Sequence, residues 1–126
     1  MILKQQYKQI LATPKPFVKW AGGKRQLISF LNENLPETFG TYYEPFLGGG
    51  ALLFHILIKK NGQKCSISDL NSDLVLAYTT IRDRVDELIS SLKSHEKNYQ
   101  KDSKSYYYSV RDTNPRSEIE KTSRLI

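Results

Sequence analysis

Two glycine-rich turns hold most of the residues in this sequence that could do chemistry. KWAGGK sets Trp20, Gly22, Gly23 and Lys24 together, and EPFLGGG places Glu44, Pro45 and Phe46 ahead of Gly48, Gly49 and Gly50. Asp69 follows nineteen residues after Gly50. Glycines at the end of a strand let a ligand approach the backbone closely. An acid about 20 residues further on can accept hydrogen bonds from ribose hydroxyls. The lysine can pair with a carboxylate and the indole can stack on a purine. Triphosphate is disfavoured, because Ala51-Leu52 follows Gly50 where a P-loop needs Lys and Ser or Thr. A dinucleotide is disfavoured as well, since Leu53 stands where the third fingerprint glycine belongs. Two readings stay open at this level. One is an adenosine-cofactor site; the other is a ligand-free strand–helix turn, with Asp69 capping the next helix, Trp20 in the core and Lys24 in solvent.

The elements that must position these residues form a βαβ unit: strand 41–46, glycine turn, helix 51–60 and strand 65–68. Parallel strands need such a crossover, which implies an α/β domain with helices covering the sheet. The helix ALLFHILI is apolar almost all round and is expected to be covered on both sides. Upstream, Leu27, Ile28, Leu31 and Leu35 fall on one helical stripe that Pro36 stops. Downstream the pattern becomes helical. Leu74, Ala77, Ile81, Val85, Leu88 and Leu92 predict one amphipathic helix over 73–97. KSHEKNYQKDSKS is expected to be a polar loop, and YYYSVRD is ambiguous between helix and strand. Ser117 and Glu120 stand at capping-box spacing, so a helix should begin there.

Composition bounds the reading from outside. The 126 residues carry a net charge of +6. Residues 1–72 hold nine Lys/Arg against four Asp/Glu, and residues 73–126 hold ten against nine. The basic excess therefore lies in the glycine-rich half and favours a polyanionic partner there. No apolar run approaches the roughly 20 residues that span a bilayer, and the first residues lack a signal-peptide core. One cysteine, Cys65, excludes an internal disulfide framework and suits a reducing cytoplasm. Neither His55 nor His95 has partners at metal spacing, so both are assigned structural roles. Cys65 is expected to open a buried strand and Tyr106–Tyr108 to join the core. The chain stops on Leu125-Ile126 within an apolar stripe, so it is expected to be a fragment.

Three ordered stretches, PFVKWAGGKRQL, YYEPFLGGGALLF and ISDLNSDLVLAYTTIRD, resemble the Dam-type (D12 class) N6-adenine DNA methyltransferases. The resemblance covers about residues 16–83 and continues weakly to the C-terminus. It implies a Rossmann-like, S-adenosylmethionine-dependent methyltransferase fold with an incomplete sheet over 1–72, and the start of a helical target-recognition domain over 73–126. By it, Trp20, Lys24, Glu44, Pro45, Phe46, Gly48, Gly50 and Asp69 contact S-adenosylmethionine, and Lys19 contacts double-stranded DNA, often at GATC sites. The family's catalytic Asp-Pro-Pro-Tyr is missing: Pro14, Pro16, Pro36, Pro45 and Pro115 are all isolated. No catalytic residue is therefore expected in this chain. The competing reading is a non-catalytic remnant that binds DNA or a protein partner.

Overall fold

The computed structural model describes residues 14–126, so most of the first residues, read above as lacking a signal-peptide core, lie outside the described residues. The chain divides into two compact units, one ending at Asp69 and the other covering Leu70–Ile126. Among the described residues it is a mixed α/β protein with two parallel strands and six helices.

In the first unit, a short 3-10 turn over Lys24–Leu27 leads into α1, Ile28–Asn34. Helix α1 stops because Leu35 precedes Pro36 and adopts an extended conformation, φ −75° and ψ 136°. Strand β1, Tyr42–Glu44, is built from the aromatic residues that favour a pleated surface. Helix α2, Ala51–Lys59, crosses over to β2, Cys65–Ile67. The strands pair in parallel with Tyr42 opposite Cys65, Tyr43 opposite Ser66 and Glu44 opposite Ile67. The ladder continues past both ends, through Tyr42 N to Lys64 O at 2.8 Å and Leu47 N to Ser68 O at 3.0 Å. Val18, Leu47, Leu52, Leu53 and Ile56 form the apolar core here.

Two expectations need correcting in this unit. Helix α2 is not covered all round: Leu52, Leu53 and Ile56 are buried, while Ile58 faces outward. Strand β2 is not a buried strand either. Cys65 is half-buried and both Ser66 and Ile67 are exposed, because β1 is the one described strand that pairs with it.

The second unit is helical. The long helix expected over 73–97 is two helices, α3 (Ser72–Asp83) and α4 (Val85–Tyr99). They are separated at Arg84, whose φ of −141° and ψ of 39° leave the helical region. The apolar periodicity runs straight through the break, so it gave no sign of it. The Arg84 guanidinium is anchored by Glu87, at 2.7 and 2.8 Å, and reaches Glu118 at 3.4 Å. The expected polar loop is also largely helical. Helix α4 runs to Tyr99 and α5 occupies Ser103–Arg111, capped by Asp102, which accepts from Ser105 N at 3.1 Å. Lys, Glu and Gln are good helix formers, so polarity there marks a solvated face rather than a loop. Tyr106 is half-buried, but Tyr107 and Tyr108 are exposed, contrary to the core assignment.

Helix α6, Glu118–Leu125, begins at the expected capping box, with Glu120 N donating to Ser117 Oγ at 3.2 Å. It packs against α3 and α4. Leu74 and Ala77 are fully buried there, and the Thr122 hydroxyl donates to that of Thr80 at 3.2 Å. His95 lies in α4 rather than a loop. Its ring joins the Tyr106 hydroxyl at 2.7 Å and Ser123 Oγ at 3.3 Å, a structural tie between three helices. No described helix is long and apolar enough to cross a membrane.

Candidate functional site

The site grows from the loop between β1 and α2. Glu44 ends β1 with its side chain turned inward, 4% exposed. A carboxylate taken out of water needs compensation, and Lys24 supplies it from the first glycine motif. Lys24 Nζ donates to Glu44 Oε1 at 2.9 Å and to the Phe46 carbonyl at 2.6 Å. One ammonium thereby holds both the buried acid and the backbone of the turn. Glu44 Oε2 is buried too, yet accepts no hydrogen bond among the described residues. A buried oxygen of this kind calls for a donor that the described hydrogen bonds do not supply.

The far side of the turn is fixed by Asp69, whose Oδ2 accepts the Gly48 N–H at 2.8 Å. Pro45 contributes its carbonyl, which accepts from Ser68 Oγ at 3.3 Å. Gly48 has a φ of +54°, and a Cβ there would sit 3.4 Å from Trp20 Cδ1. At Gly49 a Cβ would come within 3.3 Å of the Val18 carbonyl oxygen. The glycines therefore let the PFVKW segment lie directly on the turn. Gly50, also left-handed, starts α2 without a side-chain cap.

The structure thus brings Trp20, Lys24, Glu44, Phe46, Gly48 and Asp69 into one constellation. Phe46 is exposed and Trp20 partly so. Lys19 lies exposed beside them in sequence and takes no part in the cluster's hydrogen bonds. Two alternatives left open above are corrected. Asp69 is not the cap of the next helix: Asn71 is, accepting from Asp73 N and Leu74 N at 2.9 and 3.2 Å. Lys24 is not a solvated loop lysine.

Tyr42 escaped the sequence reading. It lies two residues before Glu44 on the same strand face. Burial, and then the Glu44 carboxylate, push its phenol well above the usual tyrosine range. The signal available was the i, i+2 spacing of a phenol and an acid. The Cys65 thiol beyond it is pushed up by burial and then by Glu44. His55 is a structural tie, its Nε2 lying 3.1 Å from Asn32 Oδ1. No group of three potential metal ligands occurs among the described residues. A cavity of about 610 Å³ lies in the second unit, near His95, Tyr106, Arg111 and Arg124. It has neither a glycine turn nor a buried unpaired acid, so the chemistry argues for the β1–α2 loop instead.

Comparison with known proteins is consistent with this geometry. Residues 20–126 match the family model of the D12 class N6 adenine-specific DNA methyltransferases. The chain is 45% identical over 107 residues to the type II methyltransferase M.MjaIII of Methanocaldococcus jannaschii, an alignment covering 78% of this chain. It is 38% identical over 111 residues to M1.LlaDCHI of Lactococcus lactis subsp. cremoris, covering 88% of this chain. With the DNA adenine methylase of Escherichia coli K12 it shares 30% identity over 79 residues, 63% of this chain and 27% of the relative. The aligned region spans 37% of the length of each of the first two relatives. Match and motifs agree: the chain belongs to the D12 class N6 adenine-specific DNA methyltransferases.

Proposed function

We propose that this chain supplies half of the S-adenosylmethionine site of a DNA methyltransferase that methylates adenine N6 in duplex DNA, with a GATC-like site as the expected target. The observation that carries this reading is the buried Glu44 carboxylate, paired through Oε1 to Lys24 and left with Oε2 unpaired at the glycine turn. A carboxylate in that state fits the ammonium of an amino-acid-bearing cofactor. It does not fit a phosphate, which it would repel. The uncapped start of α2 offers backbone N–H groups to the cofactor's own carboxylate. Asp69 is proposed to hold the ribose, Trp20 and Phe46 to pack on the adenosine, and Pro45, Gly48 and Gly50 to shape the path. When bound, the cofactor supplies an electrophilic methyl group on a sulfonium. The residues of this chain bind and orient it.

The fold assignment that follows is Rossmann-like over 1–72, with a helical target-recognition region beginning at 73. Lys19, in the basic half of the sequence, is proposed to contact DNA. No two prolines are adjacent, so the Asp-Pro-Pro-Tyr that would seat a flipped adenine is not encoded here. That observation favours a second reading in which the chain alone binds without turnover.

Calorimetric titration of the chain with S-adenosylmethionine and with NAD tests the proposal. Binding of the first and not the second is expected, with Asp69→Ala weakening it at least tenfold while the fold persists. Binding of NAD alone would overturn the assignment, and unchanged affinity in Asp69→Ala would remove the ribose role.

A further inference from the structure

The cavity of about 610 Å³ in the helical unit falls within the roughly 300–1,000 Å³ of small-molecule sites. Residues of α4, α5 and α6 line it, and its chemistry differs from that of the glycine turn. Tyr99, Tyr106 and Tyr107 contribute phenol rings, on which a planar ring can stack. Arg111, Lys121 and Arg124 outnumber the two acids in the lining, Asp73 and Glu96, and a positive excess favours an anion.

Hydrogen bonds organise this lining before any ligand arrives. Ser123, 5% exposed, donates from Oγ to the Glu120 carbonyl at 3.2 Å and accepts from Ser91 Oγ at 3.0 Å. Its hydroxyl proton is thereby spent, so His95 Nε2 is the donor to it at 3.3 Å. His95 Nδ1 is then the acceptor of the Tyr106 hydroxyl at 2.7 Å, which fixes the Tyr106 ring. Tyr107 is held edge-on to Tyr108, their centroids 5.4 Å apart, and the Arg111 guanidinium lies over the Tyr108 ring at 4.7 Å. Arg124 Nη1 donates to the Thr113 carbonyl at 2.8 Å, which steadies the guanidinium and leaves it further N–H donors. Lys121 enters no ion pair among the described residues.

We propose that this cavity binds a mononucleotide, its base stacked on Tyr107 and its phosphate held by Arg111, Lys121 and Arg124. Asp73 and Glu96 can accept from a base N–H or a sugar hydroxyl, groups that a bare phosphate lacks. All lining residues fall in the second unit, so the site is separate from the glycine turn and does not depend on the cofactor reading. A free nucleotide and an unpaired nucleotide within a strand present the same chemistry.

Calorimetry of the chain with thymidine 5′-monophosphate tests the proposal, and a pyrimidine keeps adenosine binding at the glycine turn out of the measurement. Thymidine should bind at least about tenfold more weakly than its monophosphate. Joint Arg111→Gln and Lys121→Gln substitution should weaken the monophosphate about tenfold and leave thymidine within about twofold. Tyr107→Ala should weaken both by about tenfold, the scale of one base–aromatic stack, and Tyr107→Phe should keep binding. Tyr107, Arg111 and Lys121 are exposed, so far-UV circular dichroism should be unchanged in each variant. A thymidine tetranucleotide that binds more tightly than the monophosphate identifies a strand as the source, and equal or weaker binding identifies the free nucleotide. No binding of either, equal competition by inorganic phosphate, or affinity unaltered in Tyr107→Ala would overturn the proposal.

Discussion

Lys24→Met is the most informative single perturbation of the turn. Methionine keeps most of the stem and removes the ammonium, so Glu44 is left buried with neither a counter-charge nor its hydrogen bond, and the Phe46 carbonyl loses a donor. Removing one partner of a fully buried pair typically costs about 3–5 kcal/mol. Here the acid is buried but the lysine is 33% exposed, and water can reach part of the gap. The expected loss is therefore about 2–3 kcal/mol, at or below the lower end of that range. Glu44→Gln keeps an acceptor for Lys24 and should cost only about 1 kcal/mol. In the double variant the uncompensated charge is absent, so the two losses should fall short of additivity by about 1–2 kcal/mol. The chain has one tryptophan, and it lies against Gly48 and Gly49, so its fluorescence during urea unfolding reports on this unit directly. A Lys24→Met variant within about 0.5 kcal/mol of the parent, or strict additivity in the double variant, would refute the idea that this pair holds the turn.

Two further outcomes follow from the same contacts. Gly49→Ala should lower stability by about 1–2 kcal/mol in the same fluorescence assay, because its Cβ meets the Val18 backbone oxygen at 3.3 Å and backbone yields poorly. At the start of α6, hydrogen bonds from the Ser117 side chain and then its backbone hold the Glu120 carboxyl below its usual 4.5. A depressed carboxylate contributes stability above its unfolded value and loses it as pH falls through the folded value. The protection factors of the Glu120 and Lys121 amides, taken against their intrinsic exchange rates at each pH, should therefore fall below about pH 4.5, and Ser117→Ala should flatten that dependence.

The parts of the fold that were legible in the sequence are those written as local chemistry. Pro36 ends α1, the glycine turn separates β1 from α2, and Ser117 with Glu120 opens α6. In each, a few adjacent residues determine the backbone. The break at Arg84 was not legible, because Leu74 to Leu92 keep helical spacing through it and the residue that leaves the helix is an ordinary arginine. The extension of α4 and α5 across 93–105 was hidden for the opposite reason: lysine-rich polarity is shared by loops and by solvated helix faces. At the site, spacing pointed to Asp69 and the glycines but not to how they are used. That Asp69 spends one oxygen on Gly48 N and Asn71 takes over the cap is a choice between two nearby acceptors. Short-range pattern does not distinguish them.

The way these residues are used changes what the glycine turn can do. Lys24 and Asp69 come from segments on either side of the turn, and the PFVKW segment lies on its glycines; each contact restrains backbone that would otherwise be ordered by a ligand. Fixing a residue's backbone costs about 1–2 kcal/mol. A turn already held by Lys24 on the Phe46 carbonyl and by Asp69 on Gly48 therefore charges little of that to binding. It follows that the anchors should act on affinity even where they touch no ligand. Lys24→Met, for instance, should weaken adenosine and amino-acid contacts together, whereas Glu44→Gln, which keeps an acceptor for Lys24, should weaken the amino-acid end alone. A loop that ordered itself only on binding would show no such separation, since every substitution in it would reduce affinity for the whole cofactor.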